Sequence, residues 1–515
     1  MDGVASTAAG LVRGDRQGRT WVFRGIPYAR VDPRGGRWRP PERPARWTGV
    51  RDAGSWGPIA PQSPPVPGLS LPGDPLDADE DCLNLNVWTP GLDDRRRPVL
   101  VWHHGGGFTT GTGASALFEG RHLAGHDAVV VTFNYRLGAL GFLAHPGLAE
   151  PESGACGNWG LLDQLAALRW VREHIGGFGG DPDNVTVFGE SAGAMSIADL
   201  LGSSAADGLF RRAVLQSGPP ATGTVEWGAR RAERLAALLD VGPVERGSLA
   251  RATADELVAA TRQLAAQVPG DGGLPLPFLP VVDGAALTRS PEQAMADHLT
   301  PRVPVLIGAN RDEAALYLAL DPAMPSLDVP AVVGRLARFV SPAAADAVVD
   351  AYVGARAARG ESIAARDLWV AIVSDYVFRL PSIHLAETHA AHDAPAFSYA
   401  FTWESPFLGG VFGSPHGLEI PFVFGTVANP AVHAFTGGGE DAFALSVRMQ
   451  QAWLAFARTG DPACDAVGDW PAYDTGGRST MVFGAASGLE ADPRGAERAI
   501  WDEVDAHPGG GHHHE

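Results

Sequence analysis

The sequence predicts an α/β architecture, with a mainly parallel, doubly wound sheet and helices on both its faces. Three observations predict it. Apolar runs of strand length recur along the 515 residues. Helical patterns alternate with those runs. The runs are continuous, not alternating, which marks strands buried on both faces.

The elements follow in order. Val99-Leu100-Val101-Trp102, Ala128 to Phe133 and Val185 to Phe188 read as strands. So do the short Ala213-Val214-Leu215, then Val303 to Ile307 and Ala396 to Phe401. Between them, Leu161, Leu165, Leu168 and Ile175 share one helical face, and Gly176-Gly177 is the expected stop. Thr253 and Glu256 have capping-box spacing for a helix running to about Gln267. Ala444 to Arg458 is a further helix, with Val447, Trp453, Leu454 and Ala457 as its core stripe. Long helical stretches, about 220–300 and 320–395, interrupt the strand series. No Pro/Ser/Gly-rich linker isolates them. They are expected as insertions over one sheet edge, within a single catalytic domain spanning 1–505. The Pro-rich segment 57–75 reads as a surface loop, and 506–515 as a flexible tail carrying His512-His513-His514.

Composition narrows the function classes. A balance of 40 basic against 59 acidic residues, net −19, argues against a nucleic-acid partner. No run is long and apolar enough for a membrane helix, and Met1-Asp2-Gly3-Val4-Ala5 opens no secretory signal. Every basic residue is Arg, since the chain contains no Lys. That excludes Schiff-base chemistry, a Walker-A loop and a Ser-Lys hydrolase. Cys82, Cys156 and Cys464 are odd in number and widely spaced. They fit neither a disulfide framework nor a zinc cluster, and read as free thiols of a cytoplasmic protein without metal or cofactor.

The most informative stretch is Gly189-Glu190-Ser191-Ala192-Gly193, between the Val185 strand and an apolar helical pattern, Met195 to Leu201. Strand, tight turn and helix make a nucleophile elbow, with Ser191 at the turn. After Val99–Trp102 comes His103-His104-Gly105-Gly106-Gly107-Phe108, a Gly-rich loop whose N–H groups can face a developing oxyanion. His104 reads as a group fixing this loop, and His103 as structural. After Val303–Ile307 comes Asn310-Arg311-Asp312-Glu313, which offers an orienting carboxylate. After Ala396–Phe401 comes Ser414-Pro415-His416-Gly417. His389, His392 and His433 lie in helical or polar surface sequence and rank below His416 as a base. The order Ser191, Glu313, His416 is the Ser–acid–His order of α/β-hydrolases.

At this point the chain resembles the type B carboxylesterases, which include cholinesterases and bacterial para-nitrobenzyl esterases. The similarity runs from about Phe23 to Trp501. It rests on Phe23-Arg24-Gly25-Ile26-Pro27-Tyr28, Glu80-Asp81-Cys82-Leu83-Asn84-Leu85-Asn86-Val87 and Asn134-Tyr135-Arg136-Leu137-Gly138. Gly157-Asn158-Trp159-Gly160-Leu161-Leu162-Asp163-Gln164, Phe178-Gly179-Gly180-Asp181-Pro182, the elbow itself, Phe210-Arg211-Arg212-Ala213 and Gln216-Ser217-Gly218 complete it.

The resemblance implies an α/β-hydrolase fold and hydrolysis of a small-molecule ester by water through an acyl-enzyme. In it Ser191 is nucleophile, His416 base and acid, and Glu313 the orienting carboxylate. Gly106, Gly107 and Ala192 supply the oxyanion N–H groups, and Glu190, Ser217 and Glu419 are buried supports around His416. Neither nucleic acid nor membrane is implied as a partner, and the same triad also serves thioester, carbamate and amide bonds. The sequence departs from the family in three places. Ala314 follows the triad acid where Gly is usual, Ala60 stands where animal members bridge to the Cys82 position, and His103 replaces an apolar residue. Phe108, Trp159, Trp403 and Phe407 are expected to line the pocket, and the two insertions to wall a gorge for a moderately apolar ester. With an unperturbed imidazole, activity is expected to fall below roughly pH 6–7.

Overall fold

A computed structural model describes residues 3–32, 35–64, 74, 77–267, 276–297, 302–392 and 394–504. Most of the Pro-rich loop, and all of the expected tail beyond Asp505, lie outside these. The central element is an eleven-stranded sheet. From one edge to the other its strands are Gly488–Ala491, Ser479–Phe483, Ala396–Phe401, Val305–Asn310, Arg212–Gln216, Gly180–Glu190, Arg97–His103, Val129–Phe133, Asn84–Thr89, Thr20–Pro27 and Asp15–Gln17. The seven from Ser479–Phe483 to Val129–Phe133 run parallel, and both flanks are antiparallel.

All six expected strands are present and lie within the parallel block, five of them with nearly every residue buried. The sixth, Val185 to Phe188, is the buried half of the longer strand Gly180–Glu190. The antiparallel flanks escape the sequence pattern for a physical reason. Asn84–Thr89 interleaves Asn and Thr with apolar residues, and Gly488–Ala491 is exposed throughout. Antiparallel strands tolerate such polar content where a parallel strand would not.

The helix expected to stop at Gly176-Gly177 ends as an α-helix at His174. The two glycines continue in a tight turn, Ile175–Phe178, and the left-handed residue that closes it is Gly179, at φ 76°. The capping box is formed, with the N–H of Thr253 donating to Glu256 Oε2 at 2.7 Å and the N–H of Glu256 to Thr253 Oγ1 at 3.2 Å. In the long helix Gly439–Thr459, Trp453, Leu454 and Ala457 are core, but Val447 is 48% exposed. It lies outside the buried stripe.

The interruptions of the strand series are helical as expected. Val225–Leu238, Arg246–Leu249, Ala254–Gln267 and Pro291–Ala296 make the first, with a two-stranded parallel ribbon of Gly223–Thr224 and Val281–Val282. Val329–Leu336, Pro342–Arg359, Ala365–Ser374 and Leu380–Ala390 make the second. The last two are joined by a π-helical turn, Asp375–Arg379, a widening often found beside functional sites. Asp375 anchors this turn. It accepts from Tyr352 Oη at 2.6 Å and from Arg379 at 2.8 and 3.0 Å.

Candidate active site

The elbow forms because backbone packs on backbone. Strand Gly180–Glu190 ends at Glu190, and helix Ala192–Leu201 begins one residue later. Ser191 is held between them at φ 54° and ψ −126°. A non-glycine residue there costs of order 1–3 kcal/mol, a strain typical of catalytic turns. A Cβ on Gly193 would lie 2.0 Å from the His103 carbonyl oxygen, so only glycine permits this approach. The Ser191 N–H donates to Gln216 O at 2.9 Å, tying the turn to the next strand.

The loop after Arg97–His103 meets the elbow. A Cβ on Gly105 would lie 2.6 Å from Glu190 Oε2 and 3.0 Å from Ser191 Cβ, which places this backbone against Ser191. Gly106 and Gly107 follow at φ 110° and 59°. Among the described residues, none accepts a hydrogen bond from the N–H of Gly106, Gly107 or Ala192. His104 fixes the loop by donating from Nδ1 to Gly105 O at 2.8 Å and stacking on Tyr135 at 4.3 Å. His103 points to the other side, bonded to Gln164 Oε1 at 2.8 Å. Burial pushes both imidazoles down to about 4, which favours their neutral forms and makes them weak proton acceptors.

The expected base and acid, His416 and Glu313, come from loops after two further strands. His416 Nδ1 lies 2.6 Å from Glu313 Oε2, and Glu313 Oε1 accepts the Asn310 backbone N–H at 2.6 Å. A second carboxylate, Glu190 Oε1, lies 2.9 Å from His416 Nε2. The two atoms are close, but they are not aligned as a hydrogen bond. Catalytic hydrogen bonds are often unmade before substrate binds, so Nε2 is open to tighten onto a hydroxyl.

Burial lowers the affinity of His416 for a proton, but Glu190, Tyr317 and Glu313 overcome it and hold the imidazole well above its ordinary value. Behind the ring, Glu419 accepts from Gln216 Nε2 at 3.1 Å and Asn310 Nδ2 at 2.7 Å. Burial, then the charges of Glu190 and Glu313, push Glu419 up to about 8, which favours its neutral form. Ser217 is fully buried at φ 50°, with its N–H on Gly308 O at 2.8 Å. The rival histidines are placed elsewhere. His389 is buried on Val303 O, and His433 bonds Val427 O.

This constellation has relatives. The carboxylesterase family pattern matches residues 2–501. The para-nitrobenzyl esterase of Bacillus subtilis (strain 168) is 37% identical over 500 residues, covering 96% of this chain and 97% of that protein. The phenmedipham hydrolase of Pseudarthrobacter oxydans is 36% identical, covering 93% and 95%. Among solved structures, a Geobacillus stearothermophilus carboxylesterase at pH 6.2 superposes with a TM-score of 0.84 at 40% identity, covering 97% of this chain and all of that one.

The chain belongs to the carboxylesterase family. It is a carboxylic ester hydrolase with the α/β-hydrolase fold.

In this carboxylesterase the aromatic residues expected at the pocket are largely core. Phe108 is fully buried against Phe142 at 4.8 Å, and Trp159 is fully buried with its indole N–H on Leu143 O. Trp403 donates to Thr436 O and lines a different cavity, and Phe407 stacks on Phe412 at 5.9 Å. The aromatic groups at the base are Tyr317 and Phe378, with ring centroids 5.3 and 5.0 Å from that of His416. Sequence reasoning missed both. Tyr317 lies one helical turn beyond Glu313, and its phenol is close enough to Ser191 to interact with it.

The insertions reach the site from two sides. Leu276 Cδ2 would lie 3.1 Å from a Cβ on Gly107. From the second insertion, Ser374 Oγ accepts the N–H of Ala314, next to the acid, at 3.0 Å, and Phe378 comes from the π-helical turn.

Proposed function

We propose that Ser191 is the nucleophile, His416 the general base and acid, and Glu313 the carboxylate that orients the imidazole. The observation that carries this reading is the 2.6 Å Glu313–His416 bond beside a strained Ser191 turn. With Nδ1–H donated to Glu313, Nε2 is the atom that takes the Ser191 proton. Ser191 Oγ then bonds the ester carbonyl carbon, and the carbonyl electron pair moves to oxygen. The N–H groups of Gly106, Gly107 and Ala192 receive that oxyanion. His416 returns the proton to the departing alcohol, and the C–O bond breaks to leave an acyl-enzyme. Water, deprotonated by His416, repeats the addition and releases the acid. Glu190 supports the imidazolium from its other side, while Ser217 and Glu419 hold the surrounding backbone and amides in place.

The substrate is a moderately apolar carboxylic ester, with Tyr317 and Phe378 as walls beside the base. The protein works in a reducing, cytoplasmic compartment, a reading supported by three free cysteines. Fluorophosphonate labelling tests the assignment. One adduct on Ser191 is expected, and none in Ser191→Ala. Equal labelling of that variant would overturn the nucleophile.

A further inference from the structure

His103 has no part in the triad or among the oxyanion donors, yet it is built into the elbow. It closes strand Arg97–His103, three residues before Gly106. Its main chain meets the elbow at both glycines. It stands in register with Gly189, and its carbonyl oxygen would lie 2.0 Å from a Cβ on Gly193.

Its side chain reaches the same turn by a second route. Nδ1 lies 2.8 Å from Oε1 of Gln164, on helix Trp159–His174. Gln164 Nε2 donates to Ser196 Oγ at 3.0 Å, and Ser196 Oγ donates to the Ala192 carbonyl at 2.8 Å. The directions agree along the whole chain. Gln164 Oε1 can only accept, so the neutral ring carries its proton on Nδ1 and donates it. Nε2 then holds only a lone pair, and its lack of a partner leaves no ring N–H unmade in the core. His103, Gln164, Ser196 and Ala192 are all fully buried.

The two ends of this chain are the two sources of oxyanion donors. His103 leads into Gly106 and Gly107, and Ala192 opens helix Ala192–Leu201. Apolar packing is non-directional and leaves a helix free to roll by small angles on its strand. Hydrogen bonds are directional, and a satisfied buried network selects one arrangement. Oxyanion donors need that, since they must sit within about 0.5 Å of the productive geometry.

We propose that His103 is a positioning residue: through Gln164 and Ser196 it locks the first turn of the elbow helix to the strand end that leads into Gly106. The inference rests on Gly106, Gly107 and Ala192 being the oxyanion donors.

The test measures kcat and KM on p-nitrophenyl butyrate, and inhibition by phenethyl trifluoromethyl ketone. Ser191 Oγ adds to the ketone carbon, its proton passes to His416, and the carbonyl electron pair becomes an oxyanion that the same donors hold. His103→Leu is expected to lower kcat roughly three- to tenfold, the worth of one net hydrogen bond, with KM little changed. Ketone inhibition should weaken by the same factor. His103→Asn, whose amide nitrogen can stand where Nδ1 stands, should restore both. Ser196→Ala cuts the other end of the chain and should show the same loss, and the double variant should be no worse than either single one. Should His103→Leu fail to fold, His103→Asn and Ser196→Ala still decide. Wild-type kcat and ketone affinity in His103→Leu or in Ser196→Ala overturns the proposal, as does a loss that His103→Asn does not repair. Gly106→Ala separates the inference from the assignment beneath it. If Gly106→Ala leaves ketone affinity intact, the oxyanion hole is misassigned and both readings fall. If it weakens the ketone while His103→Leu does not, only the role of His103 falls.

Discussion

On the nucleophile side of the site, backbone places everything. The strand ends at His103 and Glu190 are fixed by parallel pairing, and Gly105 and Gly193 let main chains touch where no Cβ fits. On the base side, side chains reach across long sequence distances. His416 is held by Glu313 across 103 residues and is flanked by Tyr317 and Phe378, while the acid's neighbour leans on Ser374. The nucleophile half is therefore stiff and intolerant of added atoms, and the base half is adjustable and open to tuning.

The largest break in that comparison falls on the reacting groups themselves. Ser191→Ala and His416→Ala are each expected to lower kcat on a p-nitrophenyl ester by something like 10⁶-fold. Substantial turnover left in either variant would contradict its role. The next test lies within the stiff half and contrasts two adjacent glycines. A methyl on Gly106, at φ 110°, would lie 2.1 Å from the Thr110 carbonyl oxygen, so the loop must move. Gly106→Ala should cost about 10²–10³-fold in kcat, as when an oxyanion donor is lost. Gly107→Ala meets only the flexible end of Leu276, so its cost should be the left-handed strain, about 1–2 kcal/mol in stability. Equal kinetic damage from the two would show that the loop is less rigid than its contacts imply.

This difference also explains what could be read in the chain. Elbow, oxyanion loop and parallel strands are local patterns, each strand followed at once by its functional turn, so their residues were legible. Tyr317 and Phe378 were not, because their roles depend on which way a short helix and a π-helical turn face. The same ignorance of facing applies to Phe108 and Trp159, whose aromatic character fits a core as well as a pocket and which are fully buried. It also put exposed Val447 on a buried stripe. The pairing of Glu313 with His416 was legible through chain order and family resemblance, not through any local signal.

A smaller effect probes the adjustable half. Tyr317→Phe keeps the ring on His416 but removes the hydroxyl that meets Ser191. One net hydrogen bond is worth about 0.5–1.5 kcal/mol, so kcat should fall by roughly 2- to 13-fold with KM little changed. A variant equal to wild type would reduce Tyr317 to packing.

The subtlest test moves no atom out of place. A free imidazole would set the acid limb near pH 6.5, as the sequence alone suggests. In the folded site burial pulls His416 down, but Glu190 and its neighbours pull it further up. The base must be neutral to take the Ser191 proton, so a raised value moves the acid limb of kcat/KM above 6.5. Activity is then lost as pH falls through that higher point. Glu190→Gln removes the largest raising charge while keeping the volume. Its limb should move to lower pH, and its activity relative to wild type should be highest on the acidic side. A pH series at constant ionic strength decides. If the two profiles coincide, Glu190 exerts no electrical hold on the ring, and the 2.9 Å contact belongs to the resting state alone.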